Sequence, residues 1–187
     1  MIAPANPLRG LTADAPYLAS VLRSVKGPVV LVGHSYGGAV ITNAAAGNPN
    51  VKALVYVAAF VPEKGDALIG LLGKYPGSEI PDAMNEVPFP NPDGTTGKDI
   101  YLKADKFRSA FAADLPRSVT NVMQAAQRPA GAAHLTEPTQ AAAWHEHSLV
   151  GARRGGGQGH SAGAAMLRVR ACRYAPDHGG SRGVRTP

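Results

Sequence analysis

At 187 residues, 44% apolar and 17% charged, the chain has the length and balance of one globular domain with a core of its own. Its net charge of +6 suggests a polyanion partner until it is divided: residues 1–144 hold 12 Lys plus Arg against 11 Asp plus Glu, and residues 145–187 hold 7 Arg against 2 acids. The body is therefore near neutral. No apolar run reaches membrane-spanning length, no basic segment precedes an apolar one at the N-terminus, and the single Cys172 excludes an internal disulfide, so a cytoplasmic setting is expected.

Met1-Ile2-Ala3-Pro4 reads as the last step of a strand, and Asn6-Pro7-Leu8-Arg9-Gly10 as a turn. Thr12 is placed to cap a helix with Asp14 in its first turn, and Tyr17, Leu18, Val21, Leu22 and Val25 recur at helical spacing until Lys26-Gly27-Pro28 ends it. Val29 to Val32 reads as a strand apolar on both faces, as a central parallel strand is. Gly33-His34-Ser35-Tyr36-Gly37-Gly38 follows and opens an Ala-rich helix that runs to about Ala46. After the Gly47-Asn48-Pro49-Asn50 turn comes a second strand of the same kind, Val51 to Val61. Such alternation implies parallel pairing with right-handed crossovers.

From Glu63 to about Asp99 the pattern dissolves, and Pro88-Phe89-Pro90-Asn91-Pro92-Asp93-Gly94 reads as irregular. Helical patterns return near 104–114 and 116–127, with Pro116 at a first turn, and a third candidate spans Glu137 to Trp144. An insertion of this size after a strand end reads as a lid over the serine. Beyond Trp144 the chain is rich in Gly, Arg and Ala without periodicity, and no further strand is expected there. The reading divides the chain into a partial core with the serine turn (1–62), a lid (63–144) and an irregular Arg/Gly-rich tail (145–187).

The chemistry lies at Ser35. A serine hydroxyl becomes a useful nucleophile when a sharp strand-to-helix turn lifts it clear of the sheet, where a base can take its proton and backbone N–H groups can hold the oxyanion. Close packing of strand on helix requires minimal side chains two residues before and after it, which Gly33 and Gly37 provide. The N–H of Tyr36, first in the helix, is the expected oxyanion donor. The plainer alternative is a buried turn with an incidental serine.

The stretches 2–10, 28–38, 54–62 and Leu135-Thr136-Glu137-Pro138 together resemble the α/β-hydrolase fold, within it the small esterase and hydroxynitrile-lyase-like branch. The resemblance covers residues 2 to about 144. It implies about three parallel strands with flanking helices and a helical lid, Ser35 as nucleophile, Tyr36 N–H as oxyanion donor, a small ester as substrate, and neither cofactor nor metal. Members of that family begin with strands ending in a His-Gly loop that supplies a second oxyanion donor, and end with strands carrying the triad acid and histidine in the order Ser, Asp or Glu, His. The chain starts after the first of these, and the tail composition is that of a GC-rich gene read out of frame from near residue 145. Impaired activity is therefore expected.

Other candidates are weaker. His34 adjoins the serine and reads as a packing residue, His134 as a loop residue, and His145, His147, His160 and His178 fall in the tail; His145-x-His147 offers only two metal ligands. Asp66, Asp82, Asp93, Asp99, Asp105 and Asp114 read as solvated or capping, Glu137 as a helix start, and Asp177 is too close to His178 for triad geometry. The competing functional reading is a non-catalytic fragment whose arginine tail binds polyanions, though with Tyr174 its one aromatic it has little to stack on bases. Apolar sheet edges also lead us to expect self-association.

Overall fold

Leu11, Ala15, Leu18 and Leu22 share one face at helical spacing, and in the computed structural model, which describes residues 1–74 and 78–152, they are the buried side of α1 (Leu11–Ser24). The helix starts after Gly10 rather than at Thr12. The carboxylate of Glu137 does the capping, accepting from Thr12 N–H and Thr12 Oγ1, each at 2.8 Å. A side chain 125 positions away thus satisfies an N–H that a local cap would otherwise serve.

Strand β1 (Val29–Ser35) leads directly into α2 (Tyr36–Ala44), and β2 (Val51–Ala59) returns parallel to β1 in a register from Val29 opposite Val51 to Ser35 opposite Ala59. Helix α2 is buried on nearly all sides because it lies between this sheet and α1. Leu31, Leu54 and Tyr56 point into that interface. The phenol of Tyr56 shares a 2.8 Å hydrogen bond with Thr42 Oγ1, which itself donates to Gly38 O. Burial pushes this phenol's pKa up to about 12 against the opposing pull of Thr42.

Residues 63–144, the segment expected to form a lid, hold α3 (Leu68–Lys74), α4 (Ile80–Ala83), β3 (Met84–Pro90), β4 (Thr96–Leu102), α5 (Ala104–Phe111), α6 (Arg117–Ala125), β5 (Ala130–Gly131) and α7 (Ala133–Thr136). Helices α5 and α6 fall where the periodicity puts them. The expectation that residues 88–94 form no regular element is overturned for 88–90, while 91–94 lie in the turn that follows. Strands β3 and β4 make an antiparallel hairpin, with Pro88 opposite Lys98 and Pro90 opposite Thr96, in a sheet of order β3-β4-β5. The prolines are tolerated because β3 is the edge strand, where a missing N–H costs no ladder bond. The helix expected over 137–144 is also absent: α7 ends at Thr136, and a short 3-10 turn covers Ala143–His145.

Beyond that turn, β6 (Ser148–Ala152) adds to the first sheet, parallel to β2 with Leu149 opposite Leu54, giving the order β1-β2-β6. The sheet therefore has the three parallel strands expected of it, but the third is drawn from the segment read as strandless. Met1 to Pro4, expected as a strand end, is exposed and in no strand. Five residues in a Gly-rich context carry little strand signal, and pairing with buried β2 supplies what propensity does not. The remaining tail, residues 153–187, lies outside the described residues and takes with it His160, Cys172, Tyr174, Asp177, His178 and all seven tail arginines.

The face of this sheet away from α2 is less covered than a central parallel sheet requires. Val30 and Val32 are 58% and 64% exposed, and Val150, in register with half-buried Val55, is 53% exposed.

Candidate active site

Ser35 ends β1 and caps α2 with φ 52 and ψ −123, a backbone conformation that few residues with a side chain adopt. Besides a register shift between Val29 and Val30 at the start of β1, a shift between His34 and Ser35 and a second positive φ at Ala58 (φ 41) make both strands irregular at their C-terminal ends. That is where open α/β sheets place their ligands. The turn is held by Phe60 N–H donating to Ser35 O at 3.1 Å.

The glycines around it carry unequal constraints. A Cβ at Gly33 would lie 2.5 Å from Gly37 O, so strand and helix touch there as expected. At Gly37 nothing lies within 4 Å, so the minimal side chain expected at that position is not required by packing. The tight position is one further on: a Cβ at Gly38 would meet Phe60 O and the Ala59 Cβ, the latter at 2.8 Å.

Tyr36 follows Ser35 as the first residue of α2, where no preceding turn can accept its N–H. Its ring is 7% exposed and its hydroxyl donates to Asp14 Oδ2 at 2.8 Å. Asp14, 1% exposed, also accepts from the Arg9 backbone N–H on both oxygens at 3.1 Å. Burial, then the hydrogen bond and charge of Asp14, raise the Tyr36 pKa far above that of an ordinary phenol, so it stays a donor. The ring of His134 meets that of Tyr36 edge to face at 5.2 Å. His134, in α7, is thus half-buried beside the serine turn rather than a loop residue on the surface, and burial lowers its pKa. Its Nδ1–H donates to Gly131 O at 2.8 Å, because a carbonyl only accepts.

The other described histidines are engaged away from Ser35 Oγ. His145 Nε2 is paired with Glu63 at 2.9 Å, and His147 Nε2 contacts Ala45 O. His34, exposed beside the serine, meets the Phe111 ring of α5 edge to face at 6.4 Å, which places the end of α5 next to the serine turn. Of the carboxylates, Asp99 pairs with Arg9 at 2.7 Å, Asp66 accepts from Glu63 N–H, and Glu137 caps α1. Two surface depressions, one lined by Leu22, Arg23 and the 46–50 turn and one by Glu79, Asp82 and Lys106, do not include Ser35. No group of metal-ligating side chains occurs among the described residues, and no helix among them is long and apolar enough to cross a membrane.

Asp14 and His134 are site-adjacent residues that sequence reasoning missed. A first-turn aspartate ordinarily serves its own helix, and only the fold turns this one toward Tyr36.

Comparison with known proteins agrees with this architecture. A carbendazim hydrolyzing esterase from Nocardioides sp. (strain SG-4G) is 60% identical over 47 residues, which are 25% of this chain and 19% of that protein. A crystal structure of polyneuridine aldehyde esterase aligns with a TM-score of 0.62 at 17% identity, covering 78% of this chain and 61% of that one. An extracellular alpha/beta-hydrolase from a Paenibacillus species aligns with a TM-score of 0.55 at 17% identity, over 80% of this chain and again 61% of the other. At such identities these two likenesses concern the fold, and the chain spans 61% of the length of each. The family described as Alpha/beta hydrolase family matches residues 3–156.

Proposed function

We propose that this chain, which belongs to the alpha/beta hydrolase family, hydrolyses a small carboxylic ester through an acyl-enzyme on Ser35. The observation that carries the reading is the backbone of Ser35, held at φ 52 between the end of β1 and the first residue of α2. Such strain persists only where the surroundings enforce it, and here it lifts a hydroxyl to the carboxyl end of a parallel sheet. Ser35 Oγ attacks the ester carbonyl carbon and Tyr36 N–H donates to the oxyanion that forms; as the oxyanion collapses to the acyl-enzyme the ester C–O bond breaks, and the serine proton passes by way of water to the departing alkoxide, which leaves as the alcohol. Water then releases the acid. His34 and the exposed Phe111 ring, which meet beside the serine turn, offer the incoming ester one polar and one apolar neighbour.

None of the described histidines bonds Ser35, so on these residues alone attack proceeds without its general base, a deficit of roughly 10²- to 10⁴-fold. The polyanion-binding alternative falls on residues 153–187, and no described residue favours it. The exposed Val30, Val32 and Val150, together with the edge of β1 that no strand among the described residues pairs, support self-association of the chain, which Val32→Lys would reduce in sedimentation. Hydrolysis of p-nitrophenyl acetate by the wild type and Ser35→Ala tests the main reading. A Ser35-dependent rate supports it, and equal rates remove it.

A further inference from the structure

We infer that Asp14 is a positioning residue for the oxyanion donor: through its hydrogen bond to the Tyr36 hydroxyl it holds the first residue of α2, and hence the Tyr36 N–H, in register with Ser35. The inference rests on the reading of Ser35 as nucleophile and adds the means by which its neighbour is aimed.

An N–H at a helix start is less constrained in direction than one in the helix interior. Backbone bonds from the preceding turn are lacking there, so orientation depends on the entering chain and on the residue's own side chain. The entering chain is Ser35, which is strained and gains from any shift that relaxes its φ of 52. The side chain of Tyr36 is the counterweight. Its ring is buried, its hydroxyl reaches Asp14 Oδ2 at 2.8 Å, and His134 packs on the ring from the lid.

Asp14 is itself immobilised. It sits in the first turn of α1, and both its oxygens accept from Arg9 N–H at 3.1 Å. The Glu137 carboxylate fastens the same helix end from the lid by way of Thr12. The anchor therefore belongs to α1 and the loop before it, not to the β1–α2 unit that bears the nucleophile. Tyr56 provides the contrast: its phenol is fully buried and also bonded at 2.8 Å, but to Thr42 further along α2 rather than to α1.

The test compares Tyr36→Phe, Asp14→Asn and Tyr56→Phe with the wild-type chain, using p-nitrophenyl acetate turnover per active site titrated with a fluorophosphonate. Tyr36→Phe keeps the ring and removes only the hydroxyl, which guards against loss of folding in Asp14→Asn. The expected result is about a tenfold lower kcat with unchanged KM in Tyr36→Phe, part of the 10²- to 10³-fold that loss of an oxyanion donor costs. Affinity for a trifluoromethyl ketone, which presents the tetrahedral oxyanion, should fall in step, and Tyr56→Phe should keep wild-type kcat. Unchanged kcat in Tyr36→Phe, or an equal loss in Tyr56→Phe, overturns the inference. If the wild type shows no Ser35-dependent turnover, the functional reading fails by itself. The positioning is then read from amide exchange: about tenfold faster exchange at residues 36–38 in Tyr36→Phe supports it, and unchanged exchange refutes it.

Discussion

Replacing Gly38 by alanine and, separately, Gly37 by alanine distinguishes where strand, serine turn and helix are pressed together. Both residues lie in α2, where alanine is intrinsically favoured over glycine by up to about 1 kcal/mol. At Gly37 the new methyl meets nothing within 4 Å, so that gain is kept. At Gly38 the methyl would stand 2.8 Å from the Ala59 Cβ and 3.1 Å from Tyr56 Cδ1, and closer still to the carbonyl oxygen of Phe60. A backbone oxygen and a Cβ cannot swing aside as the tip of a long side chain can. Overpacking of this kind costs about 3 kcal/mol, leaving a net loss of about 2. The two variants should therefore differ by about 3 kcal/mol, or roughly 6–12 °C in Tm for a domain of this size. Urea and thermal unfolding followed by circular dichroism measure both. Gly37→Ala as the less stable of the pair, or a difference within about 1 kcal/mol, would refute the packing argument.

Glu137→Ala removes the long-range cap from Thr12 N–H and Oγ1 and should destabilise the chain by about 1 kcal/mol, with amide exchange rising in the first turn of α1; exchange unchanged there would contradict the capping role. His134 has a lowered pKa in the folded chain, so between that value and about 6.5 the unfolded chain binds the extra proton. Stability should fall as pH drops from 7.5 to 5.5, and His134→Gln should lack that part of the fall. Identical pH slopes for the two proteins would show that His134 does not contribute.

Legibility in the sequence followed the range of the interactions. The strand, serine turn and helix at 29–44 could be read because their signals are local: branched apolar residues, glycines and a helical run. Helices α5 and α6 were legible for the same reason. Strand β6 was not, because Ser148 to Ala152 has little intrinsic preference and takes its form from pairing with β2. The β3–β4 hairpin was hidden by Pro88 and Pro90, whose effect depends on whether the strand is central or at an edge. Gly38 and not Gly37 proved to be the crowded position because Phe60 arrives from the next strand's end. Asp14 is the plainest case. Its sequence context fits a first-turn helix residue, while its hydrogen bond to Tyr36 spans 22 positions.

The claim on which the rest depends is that Ser35 is a nucleophile. Incubating the chain with a fluorophosphonate and locating the adduct by mass spectrometry tests it without relying on turnover. A single phosphonyl group is expected on Ser35, within the tryptic peptide from Gly27 to Lys52, absent from Ser35→Ala and from the urea-unfolded chain. An unlabelled folded chain, or a label that persists in Ser35→Ala, would contradict it.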